Sequence, residues 1–279
     1  MRARRTTAFL LTLGLVLTCA SGPAWSYHND KELITDDTAY TLRDGELRFG
    51  LWRTEYGVLE KLTLGTYNLL WFGLVPSLSG KYELYSGTDY VLSAKLGYLR
   101  VNFNNFFGDL KLPGQGGSGT SVTLNVIPFE VMNSYRLSDN WRLHGGFQYT
   151  PVLLGGEARD SSAGLAVTNL QLVLGATWRW GDVTALQLTS NSLVFQQTSA
   201  AVDLTLTTPD NYTTIRAVGV TKSDALNFKD ANAIVASVLW SWETFNLRMG
   251  ASLGAWNVPA LHFIVPLPFF PELDMYWRW

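Results

Sequence analysis

The chain has 279 residues, with 21 basic against 23 acidic side chains, and it is 16% charged, 47% hydrophobic and 13% aromatic. That balance excludes a nucleic-acid binder driven by bulk positive charge, and 11 Trp, 12 Tyr and 14 Phe among so few charges exclude a disordered polypeptide. The length is ample for a folded domain. Whether the apolar surface faces a core or a bilayer is decided by the order of the residues.

Residues 1–26 carry Arg2, Arg4 and Arg5, then an apolar stretch from Ala8 to Ala20, then the small residues Ala24 and Ser26. This is the pattern of a secretory signal peptide cut after Ser26. The stretch is too short for a spanning helix, which needs roughly 20 apolar residues. Cleavage would remove the single cysteine, Cys19, and leave residues 27–279 as one domain without disulfides or thiolate ligands. The competing reading makes Cys19 a lipid-modified terminus after Val16-Leu17-Thr18. With only His28, His144 and His262 scattered along the chain, neither a metal nor any other cofactor is expected.

No later stretch holds 18 consecutive apolar residues, and the recurring period is two. Residues 141–150 set Trp141, Leu143, Phe147 and Tyr149 against Arg142, His144, Gln148 and Thr150. Residues 170–180 and 245–255 alternate in the same way, and so do the last seven. These runs match the 9–11 residues of a tilted membrane strand better than the roughly 5–6 of a globular one. In chain order the strands are expected near 34–42, 46–56, 62–72, 78–86, 90–103, 120–136, 141–155, 165–180, 183–198, 232–242, 245–257 and 272–279. The alternation slips over 120–130, which suggests a bulge, and ten strands remain an alternative to twelve.

Tight turns at 57–61, 86–89, 138–140, 181–182 and 243–244 alternate with other connections, several of them long: a very short link at Arg43-Asp44-Gly45 and loops at 104–119, 156–164, 199–231 and 258–271. Trp141, Trp178, Trp180, Trp240, Trp242, Trp277 and Trp279 all fall at the tight-turn ends, where indole suits a membrane–water interface. The fold class this implies is all-β: a transmembrane antiparallel up-and-down barrel of about twelve strands, with periplasmic turns and termini, extracellular loops and lipid as its surroundings. Residues 199–231 contain alternating pieces that could extend the wall as an extracellular hairpin.

At this point the chain resembles Gram-negative outer-membrane β-barrel proteins, whose last strand alternates apolar residues and ends in an aromatic. Leu273, Met275, Trp277 and Trp279 fit that pattern, and residues 38–70 look like the opening hairpins of uncharacterised barrels. The resemblance implies location in the bacterial outer membrane and recognition of the last strand by the barrel assembly machinery. It names no solute and no oligomeric state, since one fold serves many functions.

Arg136, Arg142, Arg179, Arg248 and Arg278 each stand between two apolar neighbours, so all are expected to point into the lumen near the periplasmic mouth. As a ring they would select anions, and here the chain resembles twelve-stranded porins for acidic oligosaccharides. The alternative is that they pair with Glu130, Glu83 and Asp274 and help fill a closed barrel. Apolar loops form a second feature, through Trp71 and Phe72, Phe106 and Phe107, and Phe263, Phe269 and Phe270. They would make either a vestibule for hydrophobic molecules, as in outer-membrane transporters, or a contact surface. Some barrels of this size hydrolyse lipids with a Ser-His pair, but no Ser adjoins His144 in the sequence, so an enzyme is not expected. The expected function is facilitated diffusion of a small solute, with a closed structural or adhesive barrel as the alternative.

Overall fold

The computed structural model describes residues 38–72, 75–102, 121–158, 161–180, 183–207, 212–222, 232–242, 244–254, 256–258, 263–265 and 269–279. The proposed leader, residues 1–26, lies outside them, as do Phe106 and Phe107 and the side chains of Phe72 and Phe263.

The wall is a closed antiparallel barrel of twelve strand positions. It begins with β1 (Leu47–Gly50), β2 (Arg53–Leu59) and β3 (Leu62–Tyr67), followed by the one-turn helix α1 (Asn68–Phe72). Next come β4 (Ser77–Ser86), β5 (Tyr90–Asn102), β6 (Ser121–Val126) and β7 (Phe129–Arg136). β6 and β7 are one strand position broken at Ile127-Pro128, because both pair with β5 and with the following strand in a single register. Pro128 has no amide to donate to the ladder, and its carbonyl accepts from Gly97 N at 2.8 Å. The register runs on without the expected bulge; the alternation slips because Leu124 and Val126 are apolar on the inward face, packed with Leu99 and Val152.

The tall side of the wall is built by β8 (Trp141–Ala158), β9 (Ser161–Arg179) and β10 (Thr184–Thr207), with 18, 19 and 24 residues. β10 pairs with β12 (Asn232–Ser241) over its first half and with β11 (Tyr212–Lys222) beyond it. The alternating pieces between 199 and 231 are thus a hairpin that extends the wall past the barrel. β13 (Phe245–Leu253) and β16 (Phe269–Arg278) complete the ring, and β16 closes on β1 through Arg48↔Arg278, Phe49↔Trp277 and Gly50↔Tyr276. A separate hairpin, β14 (Trp256–Val258) with β15 (Phe263–Val265), interrupts the last connection.

The strand count of twelve holds, but two of its members change places. Residues 46–56 are two strands, β1 and β2, turned at Leu51-Trp52. The expected first strand, 34–42, is not in the wall over its described part. Thr38–Leu42 instead runs inside the barrel, where Thr38, Ala39 and Leu42 are wholly buried. Arg43-Asp44-Gly45 is therefore no outer link but the bend by which the chain leaves the lumen and enters β1 at the tight-turn end. Gly45 adopts φ +76° there, a conformation glycine takes without strain.

Side chains alternate about the wall as a bilayer and a polar interior require. Outside lie Leu64, Leu78, Leu96, Phe147, Leu153, Leu174, Leu188 and Met249, all exposed. At the tight-turn end Trp141 stacks on Trp178 at 5.8 Å, Trp178 meets Trp180, Trp242 stacks on Phe245 at 5.7 Å, and Phe245 meets Trp277. This is an aromatic belt of the kind that anchors barrels at one interface.

Candidate functional site: the barrel lumen

Every second residue of the wall points inward, and most of the inward set is polar: Thr63, Ser79, Lys81, Ser93, Lys95, Glu130, Ser134, Arg142, His144, Gln148, Gln171, Thr177, Gln187 and Thr189 are all buried, while Leu99, Val126 and Val152 form an apolar patch with Val75. The lumen divides into three parts. At the seam where β1 meets β16, Arg48 reaches Glu55 at 3.0 Å and Asp274 at 3.1 Å, Arg53 reaches Glu55 at 3.0 Å, and Arg278 pairs with Glu46. The Arg48 guanidinium also lies 4.1 Å over the Tyr276 ring.

In the middle sits the segment Thr38–Leu42. Its Ala39 amide donates to Ser134 Oγ at 2.9 Å, its Leu42 amide to Thr63 Oγ1 at 2.8 Å, and Lys81 Nζ donates to the Thr38 carbonyl. Thr41 Oγ1 donates to Glu83 at 3.4 Å. Ala39, Tyr40 and Leu42 pack on Val91, Met132 and Val173 of the wall, the Tyr40 ring meeting His144 edge-on at 6.4 Å. His144 is fixed from both sides, by Ser134 Oγ at 2.8 Å from Nδ1 and Thr177 Oγ1 at 3.1 Å from Nε2.

Toward the loop end lies a belt of uncharged groups: Gln148, Thr150, Asn169 and Asn191 are buried and inward. Gln148 Nε2, Thr150 Oγ1, Asn169 Oδ1 and Asn191 Oδ1 have no partner atom among the described residues. Buried polar atoms are nearly always hydrogen-bonded, so these leave hydrogen-bonding capacity directed into the lumen.

The five sequence-predicted arginines keep their inward parity but do not form a ring. Arg278 is bound to Glu46, Arg248 donates to Ser237 Oγ at 2.9 Å and stands 3.8 Å from Glu272, and Arg136 pairs with Asp139 at the rim. Arg179 is half-buried beside the tryptophan belt, and only Arg142 is buried without an acidic neighbour among the described residues. The acids expected to meet these arginines serve other groups. Glu130 pairs with Lys95 at 3.2 Å, Asp274 with Arg48, and Glu83 with Thr41.

The apolar candidates are dispersed. Trp71 is exposed on α1, its indole N–H donating to Thr66 Oγ1 at 2.6 Å. Phe269 and Phe270 are not loop residues, because they open β16 in register with Leu253 and Ser252. On the same strand Leu273 and Trp277 face outward and exposed, Met275 shares their parity, and Trp279 ends the chain.

Sequence reasoning missed Arg48, Arg53, Lys81, Lys95 and Ser134. Arg48 stands between Leu47 and Phe49 and Lys95 between Ala94 and Leu96, so the rule that found the other arginines would have found both. Ser134 meets His144 across a strand pair, Ser134↔His144, a proximity no local spacing reveals.

A closed barrel with an apolar, tryptophan-belted exterior and a polar interior is an outer-membrane β-barrel. No family model and no curated protein sequence matches this chain. Among solved structures it is similar to the outer-membrane expressed OmpT of Vibrio cholerae, at 10% identity and a TM-score of 0.39 over 81% of this chain and 63% of that one. It thus spans less than two thirds of that protein's length. It is also similar to the outer membrane protease OmpT of Escherichia coli, at 10% identity and 0.35 over 84% of this chain and 92% of that one. The toluene transporter TodX of Pseudomonas putida gives 10% identity and 0.30 over 84% and 76%.

Proposed function

We propose that this barrel passes a small solute across the outer membrane by facilitated diffusion, and that Thr38–Leu42 closes the path until it is displaced. The observation that carries the reading is the contrast within one lumen. An uncharged belt with unsatisfied hydrogen-bonding atoms lies toward the loop end, and a hydrogen-bonded stretch of the chain's own backbone fills the part below it. A barrel meant only as a scaffold has no need of the first, and an always-open porin has no room for the second.

Catalysis is not part of the reading. Ser134 and His144 are sealed, Ser134 accepts from Ala39 N, and the third partner is Thr177 rather than a carboxylate that would orient the base. The competing reading, a permanently closed structural or adhesive barrel, draws on the ion pairs that stitch the lumenal seam.

Planar-bilayer conductance of refolded residues 27–279 separates the two. In the double variant Ala39→Cys, Ser134→Cys the oxidised protein should be silent and the reduced protein should show discrete current steps. Deletion of residues 27–42 should give steps without reduction. Silence of both the reduced protein and the deletion variant would establish a closed barrel.

A further inference from the structure

Arg142 is a buried lumenal arginine with no acidic partner among the described residues. It lies on the inward face of β8 and is only 3% exposed. Among the described residues it has no hydrogen-bond or ion-pair partner. Its cross-strand neighbours are Thr177 on β9 and Arg136 on β7, and Arg136 is itself engaged with Asp139. A second cation, Lys81 of β4, lies on the same stretch of lumen, donating to the carbonyl of Thr38, two residues before Tyr40, whose ring meets His144. Of the described acids in the lumen, Glu130 is held by Lys95 and Glu46 by Arg278.

A guanidinium enclosed in the lumen with no acidic partner among the described residues is a ready site for an anion. Its planar fork also matches two oxygens of one anion. Thr177 adds a hydroxyl on the adjoining strand, and the amide and hydroxyl belt of Gln148, Thr150 and Asn169 lies farther along the same face toward the loop end.

We propose that Arg142 binds the oxyanion of a small solute inside the lumen, so that the solute class carried is a carboxylate- or phosphate-bearing molecule with uncharged hydrogen-bonding groups. This rests on the reading of the lumen as a solute path. Its test reads stability rather than current, so failure of one is distinguishable from failure of the other.

The measurement is the heat-unfolding midpoint of refolded residues 27–279 in detergent micelles, at constant ionic strength. Chloride is replaced stepwise by acetate in one series and by inorganic phosphate in another. The unsubstituted protein should gain about 3 °C in at least one series, since a ligand that binds only the folded state raises the midpoint. Acetate alone would assign a carboxylate, phosphate alone a phosphate, and both a general oxyanion.

Arg142→Gln should lose the gain and, in chloride alone, should melt at or above the unsubstituted protein, because it removes a buried charge with no acidic partner among the described residues. Lys61→Gln, an equal loss of charge in the exposed turn after β2, should keep the gain in full. Arg142→Lys, which keeps the charge without the fork, should retain less than half of it and serves if the Gln variant does not refold. The proposal is overturned if the unsubstituted protein shows no gain, if Arg142→Gln or Arg142→Lys keeps it whole, or if Arg142→Gln melts lower in chloride alone. That last result would make Arg142 a structural strut.

Discussion

Gly57 lies in β2 where the bend leaving the lumen passes closest to the wall. A Cβ at this position would stand 1.7 Å from the Arg43 carbonyl oxygen, a separation no non-bonded pair of atoms tolerates. The bend is fastened there on both sides: Gly45 N donates to Gly57 O at 2.9 Å and Gly57 N to Glu46 O at 2.8 Å. Gly80 on β4 supplies the contrast, since a Cβ there meets only Leu64 Cδ2, at 3.4 Å. Gly57→Ala should therefore cost about 3 kcal/mol, at the upper end of overpacking penalties, while Gly80→Ala should stay within about 1 kcal/mol. Equilibrium denaturation of the two variants in lipid vesicles checks this, and equal costs would mean that the bend does not depend on the gap at Gly57. The sequence carries no sign of this requirement, because the atom that excludes a side chain belongs to a residue fourteen positions upstream.

At the scale of elements, β1 is the weakest member of the ring. Its four residues make three register pairs with β2 and three with β16, yet they close the barrel. The lumenal side of the seam makes up the difference through Glu55, which holds both Arg48 and Arg53, and through Glu46, which holds Arg278. Glu55→Gln removes the carboxylate charge that Arg48 and Arg53 share, while both guanidiniums stay buried. It should destabilise the barrel by about 3 kcal/mol, as loss of one partner from a buried ionic group does. A cost below about 1 kcal/mol by urea unfolding would show that backbone pairing alone carries the closure.

The same elements show what periodicity can and cannot reveal. The long strands from β8 to β10 were legible because each repeats the alternation many times. The opening hairpin was harder to read: the alternation changes parity at Leu51-Trp52, from Leu47, Phe49 and Leu51 to Trp52 and Tyr56, but only four strand residues precede the change. Thr38–Leu42 alternates well enough to pass for a strand, but its backbone amides go to side-chain oxygens of Ser134 and Thr63. Binary pattern is blind to that distinction. Within the lumen, parity placed the arginines correctly, while their partners were set by neighbours distant in sequence, such as Glu46 for Arg278.

For the molecule as a whole, the tryptophan belt fixes the level of one interface, and the cost of a charge on the outer face follows from its distance above that level. Leu174 faces outward on β9, opposite Gly145 and Ser190, and stands four residues of strand, roughly 13 Å, from Trp178 in the belt. Leu137 is likewise exposed, but it follows β7 directly at the tight-turn end, at or below the belt. In a bilayer Leu174→Arg should cost about 2–4 kcal/mol and Leu137→Arg no more than about 1 kcal/mol, because the penalty for arginine falls away from the midplane toward the interface. A soluble barrel wrapped by water would accept both substitutions equally. Unfolding free energies measured in vesicles thus test the membrane setting itself: a difference of at least 1 kcal/mol between the two variants is expected, and its absence would detach the aromatic belt from any interface. The comparison also sets the barrel's depth independently of its lumen, so it holds whether Thr38–Leu42 is seated or displaced.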